Sequence, residues 1–232
     1  MQGAPGVIFL GGFASDMTGI KAMTLDRFCR QRGQAYLRFD YRGHGASEGE
    51  FRDGTIGAWL EDSLEVFDRL TGGPQILVGS SMGGWLMLLL ALRQSERIAG
   101  LVGIAAAPDF TEDIWQGISK SERDELMARG EVARPSAYSD SPYVITRALI
   151  EDGRRHHLLD GEIALDCPVR LLHGMADPDV SPAKSLRIAE KLRGSDAAVT
   201  LIKDGDHRLS RPQDLQRLCD AVAELTALHG NA

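Results

Sequence analysis

The sequence predicts an α/β protein: a mostly parallel sheet, helices on both faces, and one small helical insertion. Three observations predict it. Short apolar runs alternate with longer stretches of helical periodicity from residue 7 to residue 228. The runs are apolar throughout, as strands buried on both faces are. The alternation breaks once, between Pro108 and Pro168, where a polar stretch carries helix signals and no strand.

Val7 to Leu10 reads as the first strand and ends at Gly11-Gly12. Thr18 to Arg32 follows as a helix, with Gly33 as its stop. Ala35 to Phe39 is the second strand. Ile56, Trp59, Leu60, Ser63, Leu64, Phe67 and Leu70 recur at helical spacing, and Gly72-Gly73-Pro74 ends that helix. Gln75 to Val78 is the third strand, with a helix running on to Arg93, and Ile98 to Ala105 is the fourth. In the break, Ser119-Lys120-Ser121-Glu122 is a capping box for a helix ending at Gly130. Ser141-Pro142 reads as the start of a second helix. Val169 to His173, a helix from Pro182 to Leu192, Ala198 to Lys203 and a helix from Pro212 to Leu228 complete the pattern. Residues 1–107 and 168–232 thus read as the core, and 108–167 as a helical cap.

The 232 residues suffice for one sizeable core. A net charge of −7 argues against nucleic acid and anionic membrane surfaces as partners. The longest apolar run, Trp85 to Leu92, is too short to span a bilayer. Cys29, Cys167 and Cys219 are scattered and odd in number, so no disulfide framework is implied and a cytoplasmic location is expected. No signal peptide is visible, and the oligomeric state is left open.

Gly79-Ser80-Ser81-Met82-Gly83 fits G-x-S-x-G with Ser81, not Ser80, at the centre. The residue type and spacing have a reason. A nucleophilic serine on a sharp strand-to-helix turn needs flanking glycines, because side chains there would clash. The turn lifts the hydroxyl above the sheet and aims the Met82 N–H at a developing oxyanion. A glycine-rich helix start that only packs tightly would use the same letters. The strand before and the helix after favour a nucleophile.

A serine hydroxyl needs an adjacent base. Of six histidines, His207 lies in the loop between the sixth strand and the closing helix. His44 precedes the serine in the chain, His156 and His157 fall in the insertion, and His229 is in the tail. His173 ends a buried strand and reads as a satisfied core histidine. An orienting carboxylate belongs after the fifth strand, where Asp177 and Asp179 are both candidates. Gly11-Gly12-Phe13, after the first strand, offers the Phe13 N–H as a second oxyanion donor. Asp40 to Ser47 reads as a tight structural turn near the site. In the insertion, Phe110, Ile114, Trp115, Leu126, Met127, Tyr143, Val144, Leu149 and Ile150 exceed what two surface helices need, and Trp115 and Tyr143 are candidates for a substrate pocket.

Together these pieces resemble the α/β-hydrolase superfamily over residues 7–228. The run from Ile76 to Met87, Arg170 to Met175, Phe39-Asp40-Tyr41 and Asp206-His207-Arg208 are similar to one branch of it. That branch comprises mitochondrial proteins described as acyl-glucuronide esterases and palmitoyl-protein thioesterases. The resemblance implies a triad of Ser81, Asp177 and His207, because this fold uses the chain order Ser, Asp, His and places the acid after a glycine and two intervening residues, as in Gly174-Met175-Ala176-Asp177. It implies hydrolysis of a small-molecule carboxylic ester through an acyl-enzyme. Thioester hydrolysis is the second reading and a non-catalytic binding protein the third. No metal or organic cofactor is expected. Only residues 1–6 precede the first strand, so the superfamily's opening antiparallel hairpin is expected to be missing from this sequence, either because the protein lacks it or because the reading frame is shortened. With no mitochondrial presequence visible, the chain resembles a bacterial-type relative.

Overall fold

The computed structural model describes residues 3–135 and 142–230. Six strands form one sheet in the order β2-β1-β3-β4-β7-β8, with every pairing parallel. They are β1 (Gly6–Leu10), β2 (Tyr36–Arg38), β3 (Gln75–Ser80), β4 (Ile98–Ile104), β7 (Val169–Gly174) and β8 (Ala197–Ile202). Every residue of β1 and β3 is buried, as continuous apolar runs require when both faces are covered.

Successive side chains on a strand point to opposite faces, and each face has its own core. Val7, Phe9, Ile76 and Val78 pack against Ala22, Leu25 and Cys29 of α1 (Ile20–Arg32), and against Leu218, Val222 and Leu225 of α8 (Pro212–Gly230). Ile8, Leu10 and Leu77 pack against Trp59 and Phe67 of α2 (Ile56–Leu70), the helix α3 (Met82–Arg93), and Ile188 of α7 (Ala183–Lys191). Met82 to Ala91 of α3 are all buried, which explains a helix apolar all round. Gly33 ends α1 in the left-handed region at φ 61°, as predicted. Among the described residues, no helix is long and apolar enough to cross a membrane.

The segment between β4 and β7 departs from the sequence reading. Among the described residues it holds three α-helices, α4 (Phe110–Gly117), α5 (Lys120–Arg129) and α6 (Arg147–Gly153), and an antiparallel pair, β5 (Glu131–Arg134) with β6 (Tyr143–Thr146). The predicted capping box of α5 is present: Ser119 Oγ accepts the Glu122 N–H, and the Glu122 carboxylate accepts the Ser119 N–H. The helix expected from Pro142 is instead strand β6. Tyr-Val-Ile-Thr is an aromatic followed by β-branched residues, which suit a pleated surface better than a helix. Helix α6 starts five residues later, at Arg147. Its cap is Thr146, whose Oγ1 accepts the Leu149 N–H. The expected cap Ser141 lies outside the described residues.

Ile118, Leu126, Val132, Ile145 and Ile150 give this segment a small core of its own, with Phe13 of the main body packed against it. Its base is tied at both ends. Asp109 sits at φ 59°, and its carboxylate accepts the N–H groups of Leu158 and Leu159, each at 2.9 Å. Lys184 of α7 donates to the Pro108 carbonyl at 2.9 Å and pairs with Asp113.

Candidate active site

Parallel strands deliver their following loops to one edge of a sheet, and ligands bind at that carboxyl edge. Phe13 follows β1, Ser81 follows β3, Asp177 follows β7 and His207 follows β8. The sheet therefore gathers residues that are far apart in sequence.

Ser81 stands between β3 and α3 at φ 55°, ψ −119°, a left-handed conformation that a side chain rarely adopts. Neighbouring backbone holds it there. The Ser81 N–H donates to Ile104 O at 2.9 Å, and its carbonyl accepts the N–H groups of Gly84 at 2.8 Å and Ala107 at 3.0 Å. Gly79 and Gly83 are needed for packing, since a side-chain carbon on either would collide with the turn or with β1. Met82 opens α3, so its N–H is one of the helix's initial donors with no partner inside the helix.

Ser81 Oγ lies 3.1 Å from His207 Nε2, and His207 Nδ1 lies 2.8 Å from Asp177 Oδ2. The other carboxylate oxygen of Asp177 accepts the N–H groups of Asp179 at 2.8 Å and Val180 at 2.9 Å. Asp179, the alternative acid, is exposed. The loops of Asp177 and His207 are zipped by backbone, with Ala176 N–H donating to Gly205 O at 2.9 Å. Burial alone would push the Asp177 carboxyl up. Hydrogen bonds from His173, His207 and the Val180 amide outweigh it and hold the group well below the usual carboxylate range.

His173 has a larger part than the sequence suggested. It is fully buried and satisfied, as expected, but its neighbours are those of the site. Nδ1 lies 2.7 Å from Ser185 Oγ, and Nε2 lies 3.0 Å from Val180 O and 3.2 Å from Asp177 Oδ2. The spacing His173-x-x-x-Asp177 across the turn at Gly174 is the signal that could have indicated it. Lys21 carries no such signal. Its Nζ donates to Arg208 O at 2.6 Å, next to His207, and burial, aided by the Arg208 cation, pushes its ammonium down to about 8.

A cavity of about 690 Å³ is lined by Ser81, Met82, His207 and Phe13, with Phe110, Ile114, Tyr143 and Ile145 contributed by the segment between β4 and β7. The Phe13 ring meets Phe51, Phe110 and Tyr143 edge-on at centroid distances of 4.8, 5.7 and 5.7 Å, which fixes the loop bearing its N–H. Tyr143 is one of the cavity's lining residues. Trp115 is not among the residues lining the cavity; the guanidinium groups of Arg123 and Arg154 lie over its ring, 5.3 and 5.0 Å from the centroid. The Asp40 turn is structural, as read: its carboxylate accepts the N–H groups of Met17 and Ala46 and steadies the loop after β1.

Asp177, Asp179 and His207 each place a ligand-type atom within 4.8 Å of the others. His207 Nδ1 and Asp177 Oδ2 already bond to each other, so this spacing is that of a hydrogen-bonded pair beside an exposed carboxylate. The whole arrangement can deprotonate a hydroxyl at a site beside the loop of Phe13 and the first turn of α3.

Residues 7–224 match the alpha/beta hydrolase family model. The mouse protein named palmitoyl-protein thioesterase ABHD10, mitochondrial, is 40% identical over 95% of this chain and 75% of its own length. A solved structure of a protein from Agrobacterium vitis S4 is 47% identical, with a TM-score of 0.93 over 96% of this chain and 88% of that one. The structure of alpha/beta hydrolase domain-containing protein 10 from mouse is 40% identical, with a TM-score of 0.89 over 95% and 89%. The six parallel strands, the serine turn after β3 and a match running almost from end to end lead to one conclusion: this chain belongs to the alpha/beta hydrolase family.

Proposed function

We propose that the chain hydrolyses carboxylic esters through Ser81, His207 and Asp177. The observation that carries this reading is the continuous hydrogen-bonded run from Ser81 Oγ through the imidazole of His207 to Asp177. His207 Nε2 takes the Ser81 proton as Oγ attacks the acyl carbonyl. The Phe13 and Met82 N–H groups receive the oxyanion, and Asp177 holds the imidazole with its Nδ1 proton inward. Return of the proton to the leaving oxygen expels the alcohol and leaves Ser81 acylated. Water, deprotonated by the same imidazole, then releases the acid. These steps call on no metal or organic cofactor. Residues 108–167 act as a cap that walls the acyl pocket, with Tyr143 and Phe110 as its apolar surface.

Thioester hydrolysis is the second reading. The same steps apply with a thiol leaving group, and the name of the mouse relative favours it. A non-catalytic binding protein is disfavoured because all three groups stand within hydrogen-bonding reach. Cys29, Cys167 and Cys219 are free, which suits a reducing cytoplasm as the site of action. Nitrophenyl esters and acyl thioesters of matched chain length, assayed side by side, test the proposal. Turnover of either class, with fluorophosphonate labelling at Ser81, supports it, and absence of both turnover and labelling overturns it.

A further inference from the structure

We propose that His173 is a positioning residue for Asp177. Its Nε2–H and the anchoring of its ring by Ser185 set the direction and strength with which Asp177 receives the Nδ1 proton of His207. The ring's proton position follows from its partners. Nε2 faces two acceptors, Val180 O at 3.0 Å and Asp177 Oδ2 at 3.2 Å, so that nitrogen carries the hydrogen. Nδ1, 2.7 Å from Ser185 Oγ, accepts from the hydroxyl. Both His173 and Ser185 are buried to 1% exposure or less, so water does not compete for these bonds.

The carboxylate of Asp177 is thereby surrounded by donors. Oδ1 takes two backbone N–H groups, and Oδ2 is shared between His207 and His173. A carboxylate oxygen that serves two donors gives less to each. His173 therefore keeps Asp177 from holding the His207 proton too tightly, and it blocks rotation of the carboxylate away from the imidazole. The chain of contacts runs from α7, through Ser185 and His173, to Asp177 and His207. A purely structural role would require only that His173 hold the Val180 carbonyl and fill its space.

The inference rests on the triad reading, whose own failure would appear as activity surviving in Ser81→Ala. Its test compares His173→Gln, which can place an amide N–H near the Nε2 position, with His173→Leu, which cannot. His173→Leu should lose about 10- to 100-fold in kcat/KM. The acid limb of its pH–rate profile should move to higher pH, because an unshared Oδ2 holds the imidazolium proton more firmly. The low-field proton resonance of His207 Nδ1–H should move with it. His173→Gln should recover most of the rate and return the limb. The other charged groups nearby, Asp179, Lys21, Asp206, Arg208 and the Lys184–Asp113 pair, are common to all variants and cannot cause a difference between them. Should His173→Leu not fold, Ser185→Ala replaces it, with a smaller limb shift in the same direction expected. The proposal is overturned if the limb stays in place in the variant lacking the interaction, or if His173→Gln is no better than His173→Leu.

Discussion

Gly83 faces the carbonyl oxygen of Leu10 so closely that a side-chain carbon on it would collide with that atom and with the Gly11 carbonyl. The contact joins the first turn of α3 to the end of β1, which carry the two proposed oxyanion donors. Gly83→Ala should push the helix away from the strand and destabilise the protein by about 1–3 kcal/mol. It should also weaken fluorophosphonate labelling at temperatures where the variant stays folded. Gly72→Ala is the control, since nothing lies within 4 Å of its Cβ position. Urea midpoints of the two variants check the difference. Equal midpoints would mean that the Leu10 contact yields easily.

Ser80 and Ser81 are adjacent, yet only Ser81 has the left-handed backbone and the His207 contact; Ser80 is buried at the end of β3. Ser81→Ala should lower kcat/KM on a nitrophenyl ester by about 10⁴-fold or more, while Ser80→Ala keeps substantial activity. Comparable losses in both would make Ser81 the wrong nucleophile.

These two residues also mark what the sequence could reveal. The Ser81 turn was readable because its chemistry demands local letters, glycines at fixed distances between a strand and a helix. The order and type of the sheet's elements were readable for a similar reason, since period and breakers are local. The segment between β4 and β7 was not. A short run such as Tyr143 to Thr146 becomes a strand only because β5 lies opposite to pair with it, and pairing is a long-range fact. His173 failed differently. Its burial was foreseeable, but its approach to Asp177 depends on the turn at Gly174. Trp115 was not separable from Tyr143, because an aromatic residue near a site reads the same whether it faces the cavity or packs against arginines.

Asp177 carries a pH signature. Its carboxyl titrates well below its unfolded value of about 4, so the ionised form stabilises the fold at all pH values above about 4. That contribution is lost as pH falls from about 4 through the lower folded value. Asp177→Asn lacks it, so the stability of the wild type relative to this variant should decline on acidification below about pH 4. At neutral pH the same variant should lose about 10⁴-fold in kcat. Asp179→Asn, altering an exposed carboxylate, should lose far less. Chemical denaturation between pH 3 and 7, with kinetics at pH 7, separates the two acids. A flat stability difference would count against Asp177 as the tightly bonded member, and a larger rate loss in Asp179→Asn would move the role to that residue.

Tyr143 and Trp115 lie in the same segment but meet different surroundings, and their substitution should have different consequences. The Tyr143 ring lines the cavity and rests edge-on against Phe13 at 5.7 Å. Cutting it to Ala removes part of the wall opposite the proposed nucleophile. The space should admit longer or bulkier acyl chains, changing the ratio of activities on long and short esters by about 10-fold, the scale a hydrophobic pocket supplies for one or two methylenes. Fluorophosphonate labelling of Ser81 should persist, because no group of the triad is touched. Trp115 instead has the guanidinium groups of Arg123 and Arg154 over its ring, contacts worth about 0.5–1 kcal/mol each at an accessible site. Arg123 also donates to the Trp115 carbonyl, and Arg154 reaches Glu112, so the cluster ties α4 to α5 and to the residues after α6. Trp115→Ala should therefore lower the melting temperature and leave the long-to-short ratio as it is in the wild type. Both ratios must be taken at a temperature where each variant is folded. If Tyr143→Ala leaves the ratio unchanged, residues 108–167 cover the site without shaping what it accepts. If Trp115→Ala changes the ratio as much as Tyr143→Ala does, the wall is set by the placement of the whole segment rather than by the side chains facing the cavity.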